Sequence, residues 1–439
     1  MSAPAKSVTR WALVFWLFIL SAVAFLDRTN ISIAGSSIAK EFHLTSVQLG
    51  WVFSAFLVGY ALFQTPGGWL ADRFGPRLVL AAGVVWWGVF TALTATVSST
   101  AASAIFVFIA VRFMLGAGEA IIYPASNQFV SKWIPTQERG IANGLIFAGV
   151  GVGAGITPIL VTSIILRYGW RASFWMSAGL GLVAGAVWFL IARDTPEAHP
   201  AVSAEELAYI RAGRTVPVSA SSVSSKKMPS PWSSILGSKE VQAVTFSYFC
   251  FGYVAWIFFS WFYIYLSTVR HLDLKTSAFY STLPPVAMAI CSPLGGVCCD
   301  ALTRAYGKRM GRTAIPVFAL ALTAMLLISG SRAQSARFAS VVLAGGAGAL
   351  YLSQSSFWSV TADISAGFSG TVSGFMNMGA QFGGAVTASL TPWIASRYGW
   401  TSSFYTAAVL ALLGALAWLF VNPNRAVVPS SASGGTQLP

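Results

Sequence analysis

The sequence predicts an all-α membrane protein with twelve transmembrane helices arranged as two pseudo-symmetric six-helix bundles. Three observations predict this fold: a composition too apolar for water, twelve apolar stretches of spanning length, and an internal repeat relating the two halves. Of the 439 residues, 56% are hydrophobic and 9% charged, with 31 Phe and 17 Trp. Such values lie outside the range of soluble globular chains and suit a bilayer, whose interfaces attract aromatic rings. The formal charge of +14 would suit nucleic acid only if gathered on one face. Here the basic residues are scattered between apolar runs, so no nucleic-acid partner is expected.

A hydrocarbon core about 30 Å thick takes about 20 apolar residues as helix, because only a helix or a closed barrel satisfies its own backbone in lipid. The stretches that meet this requirement are 11–33, 47–70, 78–97, 103–127, 141–165, 171–192, 241–267, 276–299, 313–330, 337–361, 371–395 and 401–421. The first resembles a cleavable signal peptide in having Lys6 and Arg10 before it and Ala22-Val23-Ala24 within it. Its apolar run nevertheless continues to Asp27 and Asn30, and eleven partner spans follow, so a retained helix is expected. With the N-terminus in the cytoplasm, seventeen Lys and Arg fall on that side, eight fall on the other, and Arg28 and Arg112 lie within spans. This positive-inside excess predicts a multi-pass protein of the cell inner membrane with both termini cytoplasmic.

Residues 1–192 are expected to form the N-terminal bundle, 193–239 a cytoplasmic linker, 240–421 the C-terminal bundle and 422–439 a disordered cytoplasmic tail. In the linker, Ser203-Ala204-Glu205-Glu206 reads as a capping box opening a short surface helix. Ser219 to Pro231 is Ser/Pro-rich and reads as flexible. The repeat is explicit: Arg167-Tyr168-Gly169-Trp170 recurs 230 residues later as Arg397-Tyr398-Gly399-Trp400. In that register Gly140, Gly144, Gly149 and Gly153 map onto Gly370, Gly374, Gly379 and Gly383, and at an offset of 228 Gly67-Gly68 and Asp72 answer Gly295-Gly296 and Asp300. Parallel six-span repeats are one architecture of alternating access, with a site between the halves at mid-membrane. The glycines also let helices pack closely.

Asp27 and Glu119 are the acidic residues well inside spans, and Arg28 and Arg112 accompany them. At about 2.5–3.5 kcal/mol each, four such charges would cost on the order of 10 kcal/mol if dry and unpaired, so function is the expected reason to keep them. The competing readings are structural pairing, for example Asp27 with Arg112, and interfacial snorkelling of Arg28. Arg112 and Glu119 are seven residues apart, which sets them on one helix face roughly 10 Å from each other. A buried carboxylate near a guanidinium is placed to exchange protons, and an arginine fork suits a carboxylate ligand. Asp27 and Glu119 are therefore expected to couple protons, and Arg28 and Arg112 to hold an anion.

Asn30, Tyr60, Gln64, Asn127, Asn377 and Gln381 are secondary polar candidates for substrate contact. Tyr60 with Gln64, and Asn377 with Gln381, are spaced to share a face. Polar glue between helices is the alternative for each. The seventh span carries Tyr253, Trp256, Phe259, Trp261, Phe262 and Tyr265; most are expected to pack or meet lipid, with Trp256 as a gate. No Walker-type loop occurs, since Gly307-Lys308 is followed by Arg309, and no enzyme is expected. The four cysteines lack metal spacing, and His43, His199 and His271 are far apart. The expected partners are a small carboxylate and the lipid bilayer, with a monomeric chain, no metal, and no cofactor beyond a co-transported proton.

These residues resemble the major facilitator superfamily, and within it the anion:cation symporter family that includes bacterial galactonate and other sugar-acid:proton symporters. Gly67-Gly68-Trp69-Leu70-Ala71-Asp72-Arg73-Phe74-Gly75-Pro76-Arg77 is similar to the superfamily signature between spans 2 and 3. Arg112-Phe113-Met114-Leu115-Gly116-Ala117-Gly118-Glu119 resembles its fourth-span motif, and Asp27-Arg28-Thr29-Asn30 the first-span motif of the anion:cation branch. Trp358, Asp363-Ile364, Gly370 and Gly374-Phe375-Met376-Asn377-Met378-Gly379 resemble its tenth and eleventh spans, so the likeness covers nearly the whole chain. The resemblance implies a proton-coupled importer of organic anions. By it Asp27 and Glu119 match the proton carriers, Arg28 and Arg112 their charged partners, and Tyr60 and Asn377 substrate contacts. Asp72 matches an acid that latches the halves on the cytoplasmic side; Arg73 and Arg77 of the same loop, and Asp300 at the repeated position, are expected to gate with it.

One departure is Val150, which stands among glycines in the fifth span where the galactonate symporter resembled here carries a glutamine, so the identity of the substrate does not follow. The Gly-Pro signature of drug antiporters is missing from span 5, where Gly153-Ala154-Gly155 leads to Pro158. The expected function is secondary active, proton-coupled uptake of an organic anion such as a sugar acid or other carboxylate. The alternatives are a sodium-coupled or exchange-type anion transporter on the same fold, a drug:proton antiporter, and a solute sensor that transports nothing.

Overall fold

The computed structural model describes residues 9–44, 46–98, 104–214, 232–365 and 367–427; Lys6, the stretch Ser219 to Pro231 and the tail beyond residue 427 lie outside them. Regular structure among the described residues is helical. Before the linker run α1 Thr9–Phe42, α2 Ser46–Phe74, α3 Pro76–Thr96, α4 Ala104–Glu119, α5 Ile122–Trp133, α6 Arg139–Tyr168 and α7 Trp170–Ile191. The surface helix α8 Ala204–Ala212 and the short α9 Trp232–Gly237 follow. The second half is α10 Lys239–Ser260, α11 Phe262–Ile264, α12 Leu274–Arg332, α13 Ala336–Leu352, α14 Gln354–Ile364, α15 Ser369–Tyr398 and α16 Trp400–Ala417.

Ten helical stretches are long and apolar enough to cross a membrane, α4 with α5 and α13 with α14 each counting as one. α12 is two crossings, broken at Gly307, whose φ is +83°. α15, diluted by serine, threonine and amide side chains, completes the twelve. In the repeated tetrapeptide, Gly169 and Gly399 have φ of +79° and +83°, a left-handed backbone that glycine adopts without a Cβ clash. There α6 passes to α7, and α15 to α16, through a single residue, so the repeat is one tight turn used twice.

The mapped glycines do the same packing work in both halves. A Cβ on Gly144 would lie 2.7 Å from Pro293 Cα on α12, and one on Gly149 2.9 Å from Ser21 Cβ on α1. Their counterparts Gly374 and Gly379 would meet Thr65 Cα on α2 at 3.1 Å and the Thr245 carbonyl on α10 at 2.8 Å. The first glycines of each row thus seat a helix against the other half, and the later ones seat it within its own.

Thr9 Oγ1 donates to the Ala201 carbonyl at 3.0 Å, and the Val427 amide donates to the Ile364 carbonyl at 2.8 Å. Both ends of the described chain therefore lie with α8 on one face, here termed the linker face. Ser203 Oγ accepts the Glu206 amide at 3.1 Å, the N-cap expected for α8. The Glu206 carboxylate in turn accepts the Arg10 amide at 3.1 Å, which ties the surface helix to α1.

Candidate functional site

A cavity of about 400 Å³ lies between the two sets of crossings. From the first half, α1 supplies Arg28, α2 Tyr60 and α5 Tyr123; from the second, α10 supplies Trp256, α14 Gln354, and α15 Asn377 and Gln381. The lining continues away from the linker face through Phe259, Tyr263 and Ser281.

Arg28 is the cavity's cation, and it is paired. Its Nε donates to Glu119 Oε1, 91 residues away in sequence, while its guanidinium lies 4.1 Å from the Tyr60 ring centroid and 4.8 Å from that of Phe25. The Glu119 side chain is fully buried and that of Arg28 15% exposed. Glu119 ends α4, directly before the break at residues 120–121 that separates it from α5. Arg28 Nη2 and Glu119 Oε2 are buried without a hydrogen-bond partner among the described residues. Snorkelling does not describe Arg28: it turns inward to a carboxylate.

Asp27, one residue earlier and so rotated about 100° around the helix, lies behind this pair. Its carboxylate is buried beside the Ser177 and Thr91 hydroxyls. Arg112 is 2% exposed, sits 4.8 Å from the Phe56 ring centroid, and has Nε and Nη1 unpartnered among the described residues. No ion pair within 4.0 Å joins Asp27 to Arg112 among the described residues. Asp27, Arg112 and Glu119 are thus a buried layer behind the wall, and Arg28 is the member of the quartet that reaches the cavity.

The polar candidates divide in the same way. Tyr60, Asn377, Gln381 and Trp256 line the cavity. Asn30 does not: it accepts from Ser173 Oγ at 2.8 Å and donates to Ser177 Oγ at 3.2 Å, joining α1 to α7. Gln64 accepts from Asn377 Nδ2 at 2.9 Å across the halves, and Asn127 donates to Thr361 Oγ1 at 2.9 Å. Sequence reasoning missed Tyr123, Tyr248, Tyr351 and Gln354. Tyr248 Oη accepts from Gln354 Nε2 at 2.8 Å and from Trp358 Nε1 at 3.0 Å. An amide inside an apolar span was the available signal for Gln354; the tyrosines carried none.

At the linker face the halves are latched reciprocally. Asp72 accepts the Gly370 and Thr371 amides at 2.9 and 2.7 Å, at the start of α15. Its repeat partner Asp300 accepts the Gly140 and Ile141 amides at 2.9 and 2.7 Å, at the start of α6. Each carboxylate sits on the positive end of a helix from the opposite half. The second latch has an added charge network. Arg312 pairs with Asp300 at 2.9 Å and with Asp363 at 3.0 Å, and Arg139 pairs with Asp363 at 2.5 Å. Two cations and two anions thereby balance in a buried cluster. Arg73 and Arg77 take no part in either latch: Arg73 lies 5.3 Å from the Trp69 ring centroid, and Arg77 Nε donates to the Phe189 carbonyl at 3.0 Å, within its own half.

The sequence matches the Major Facilitator Superfamily over residues 17–388 and 359–438. It is 33% identical to the probable sulfoacetate transporter SauU of Cupriavidus necator, over 94% of each chain. It is 30% identical to the probable galactarate/D-glucarate transporter GudP of Escherichia coli, over 95% of this chain and 94% of that one. The fold is similar to that of the proton:xylose symporter XylE, with a TM-score of 0.74, 15% identity, and 94% and 96% of the two chains covered. These relatives and this fold are those of transporters, not enzymes.

Proposed function

The chain belongs to the Major Facilitator Superfamily, and on that premise we propose that it takes up a small organic carboxylate together with a proton, by alternating access. The observation that carries this reading is the Arg28–Glu119 ion pair at the cavity wall. While Glu119 is ionised it holds Arg28, and an incoming carboxylate would add an uncompensated negative charge to a site shielded from water, a cost of several kcal/mol. A proton on Glu119 releases the guanidinium, and the substrate carboxylate takes the place of the Glu119 carboxylate on it. Proton and anion then bind favourably only together. Asp27, buried behind the pair, is a second carboxylate through which a proton reaches or leaves Glu119, and the permanently charged Arg112 guanidinium offsets the negative charge of the two acids.

The names of the relatives support an anionic cargo, since sulfoacetate, galactarate and glucarate are all anions. The topology read from the sequence assigns seventeen Lys and Arg to the side of the linker and eight to the other, which supports a cytoplasmic linker face in the inner membrane. In that orientation the reciprocal latches close the cytoplasmic side, and the cavity belongs to the outward-facing state. Tyr60, Asn377 and Gln381 complete the binding wall, and Trp256 gates it.

The test is flux in proteoliposomes with pH and sodium gradients imposed separately. The wild-type chain is expected to accumulate substrate against its gradient when the pH gradient alone is present. Glu119→Gln and Asp27→Asn are expected to abolish that accumulation. Normal proton-driven accumulation by both variants, or accumulation driven by sodium alone, would sink the proposal.

A further inference from the structure

The wall of the cavity narrows the class of anion. Among the described lining residues Arg28 is the one charged side chain, and eleven of the 24 are aromatic. One guanidinium neutralises one anionic group; a second carboxylate would be stripped of water among rings with no cation to meet it. Part of the wall's polarity is committed to other protein groups. Tyr248 Oη takes two donors, Asn377 is bound to Gln64, and Tyr123 Oη lies 3.0 Å from Ser21 Oγ. The Thr29 and Ser281 hydroxyls donate back to their own helices at 2.8 and 2.7 Å.

Among the described residues, two atoms buried in this wall have no protein partner: Arg28 Nη2 on one half and Gln354 Oε1 on the other. They are a cationic donor and a neutral acceptor, one end for a carboxylate and one for a single hydroxyl. A sugar acid carries several hydroxyl groups, each of which loses water on entry and needs a partner, against a wall that is close to half aromatic. A flat aromatic ring needs none and gains from stacking on the aromatic side chains around it. The cavity volume of about 400 Å³ is ample for such a ring.

We infer that the substrate is an aromatic monocarboxylate bearing one ring hydroxyl, its carboxylate on Arg28 and its hydroxyl donating to Gln354 Oε1. The inference rests on the carboxylate reading above and gives that substrate a chemical class. The test is calorimetric binding to the purified full chain at mildly acidic pH, with 4-hydroxybenzoate, benzoate, cyclohexanecarboxylate, terephthalate and galactonate as probes. Expected is an affinity for 4-hydroxybenzoate at least about tenfold above those for terephthalate and galactonate, with benzoate tighter than cyclohexanecarboxylate. Gln354→Leu is expected to bring the ratio of 4-hydroxybenzoate to benzoate affinity down to about one.

Galactonate binding as tightly as 4-hydroxybenzoate overturns the inference, as does binding of none of the five. The two readings fail separately. Galactonate bound tightly and carried with protons leaves symport standing and removes the aromatic class. Tight 4-hydroxybenzoate binding without proton-driven flux supports the aromatic class and removes symport.

Discussion

At the scale of single residues, the Arg28–Glu119 pair makes the sharpest prediction about stability. Truncating one partner of a buried ion pair leaves the other uncompensated, at a cost of about 3–5 kcal/mol. Arg28→Ala is therefore expected to lower the thermal unfolding midpoint strongly, and adding Glu119→Gln to that variant should recover most of the loss. A double variant no more stable than Arg28→Ala would show that Glu119 does not depend on Arg28. Away from the linker face, Glu41 supplies a pH dependence of opposite character, being half-exposed. Its slight burial raises the carboxyl, but hydrogen bonds from the Trp170 indole and the Arg171 guanidinium, both at 2.8 Å, outweigh that and hold it below the usual 4.5. Because the folded value is depressed, its stabilisation is complete above about pH 4.5 and is lost as pH falls through the folded value. Glu41→Gln should flatten that acid limb of stability against pH, by a small amount that shrinks further with salt.

At the scale of elements, the two latches are the same device built twice, a carboxylate on the first turn of a helix from the other half. Neutralising such a cap costs about 0.5–2 kcal/mol, enough to shift a two-state equilibrium about twofold to thirtyfold. Asp72→Asn should thus raise the fraction of molecules open at the linker face. Spin labels at Gln137 and Arg304, joined in the closed form by a 3.4 Å hydrogen bond across the halves, would report it as a longer distance. Asp300→Asn should open the face further, because it also removes one of the two anions holding Arg312. Equal distances in wild type and both variants would remove the latch role. The glycine rows make a matching prediction: Gly144→Val forces a side chain against Pro293, so it should hinder closure of this face rather than loosen either half internally.

At the scale of the whole molecule, the halves meet on the linker side, and the alternating access proposed above requires that contact to break. In a background lacking the native cysteines, oxidising the pair Asn127→Cys and Thr361→Cys, at positions bonded across the halves at 2.9 Å, should stop flux while leaving ligand binding intact. Flux that survives cross-linking would exclude rocking of the halves. Much of this architecture was legible in the chain itself. Apolar runs of about 20 residues count crossings because lipid offers the backbone no partner, and the Arg-Tyr-Gly-Trp repeat marked the two halves as copies; that its glycines make tight turns at positive φ came from the structure. The burial of Asp27, Arg28, Arg112 and Glu119 followed from the same local arithmetic. Their partners did not. Arg28 meets Glu119 and leaves Asp27 to a separate layer, Asn30 belongs to α7, and Gln64 belongs to Asn377, because each pairing depends on how helices remote in sequence are rotated and tilted against one another. That rotation is set where backbones touch, at Gly144, Gly149, Gly374 and Gly379, and sequence periodicity carries no record of which helix lies on the other side. The amino-acid order alone determined the number of helices, their repeat and their buried charges; tertiary packing decided which charge faces which, and so which of them the cavity exposes.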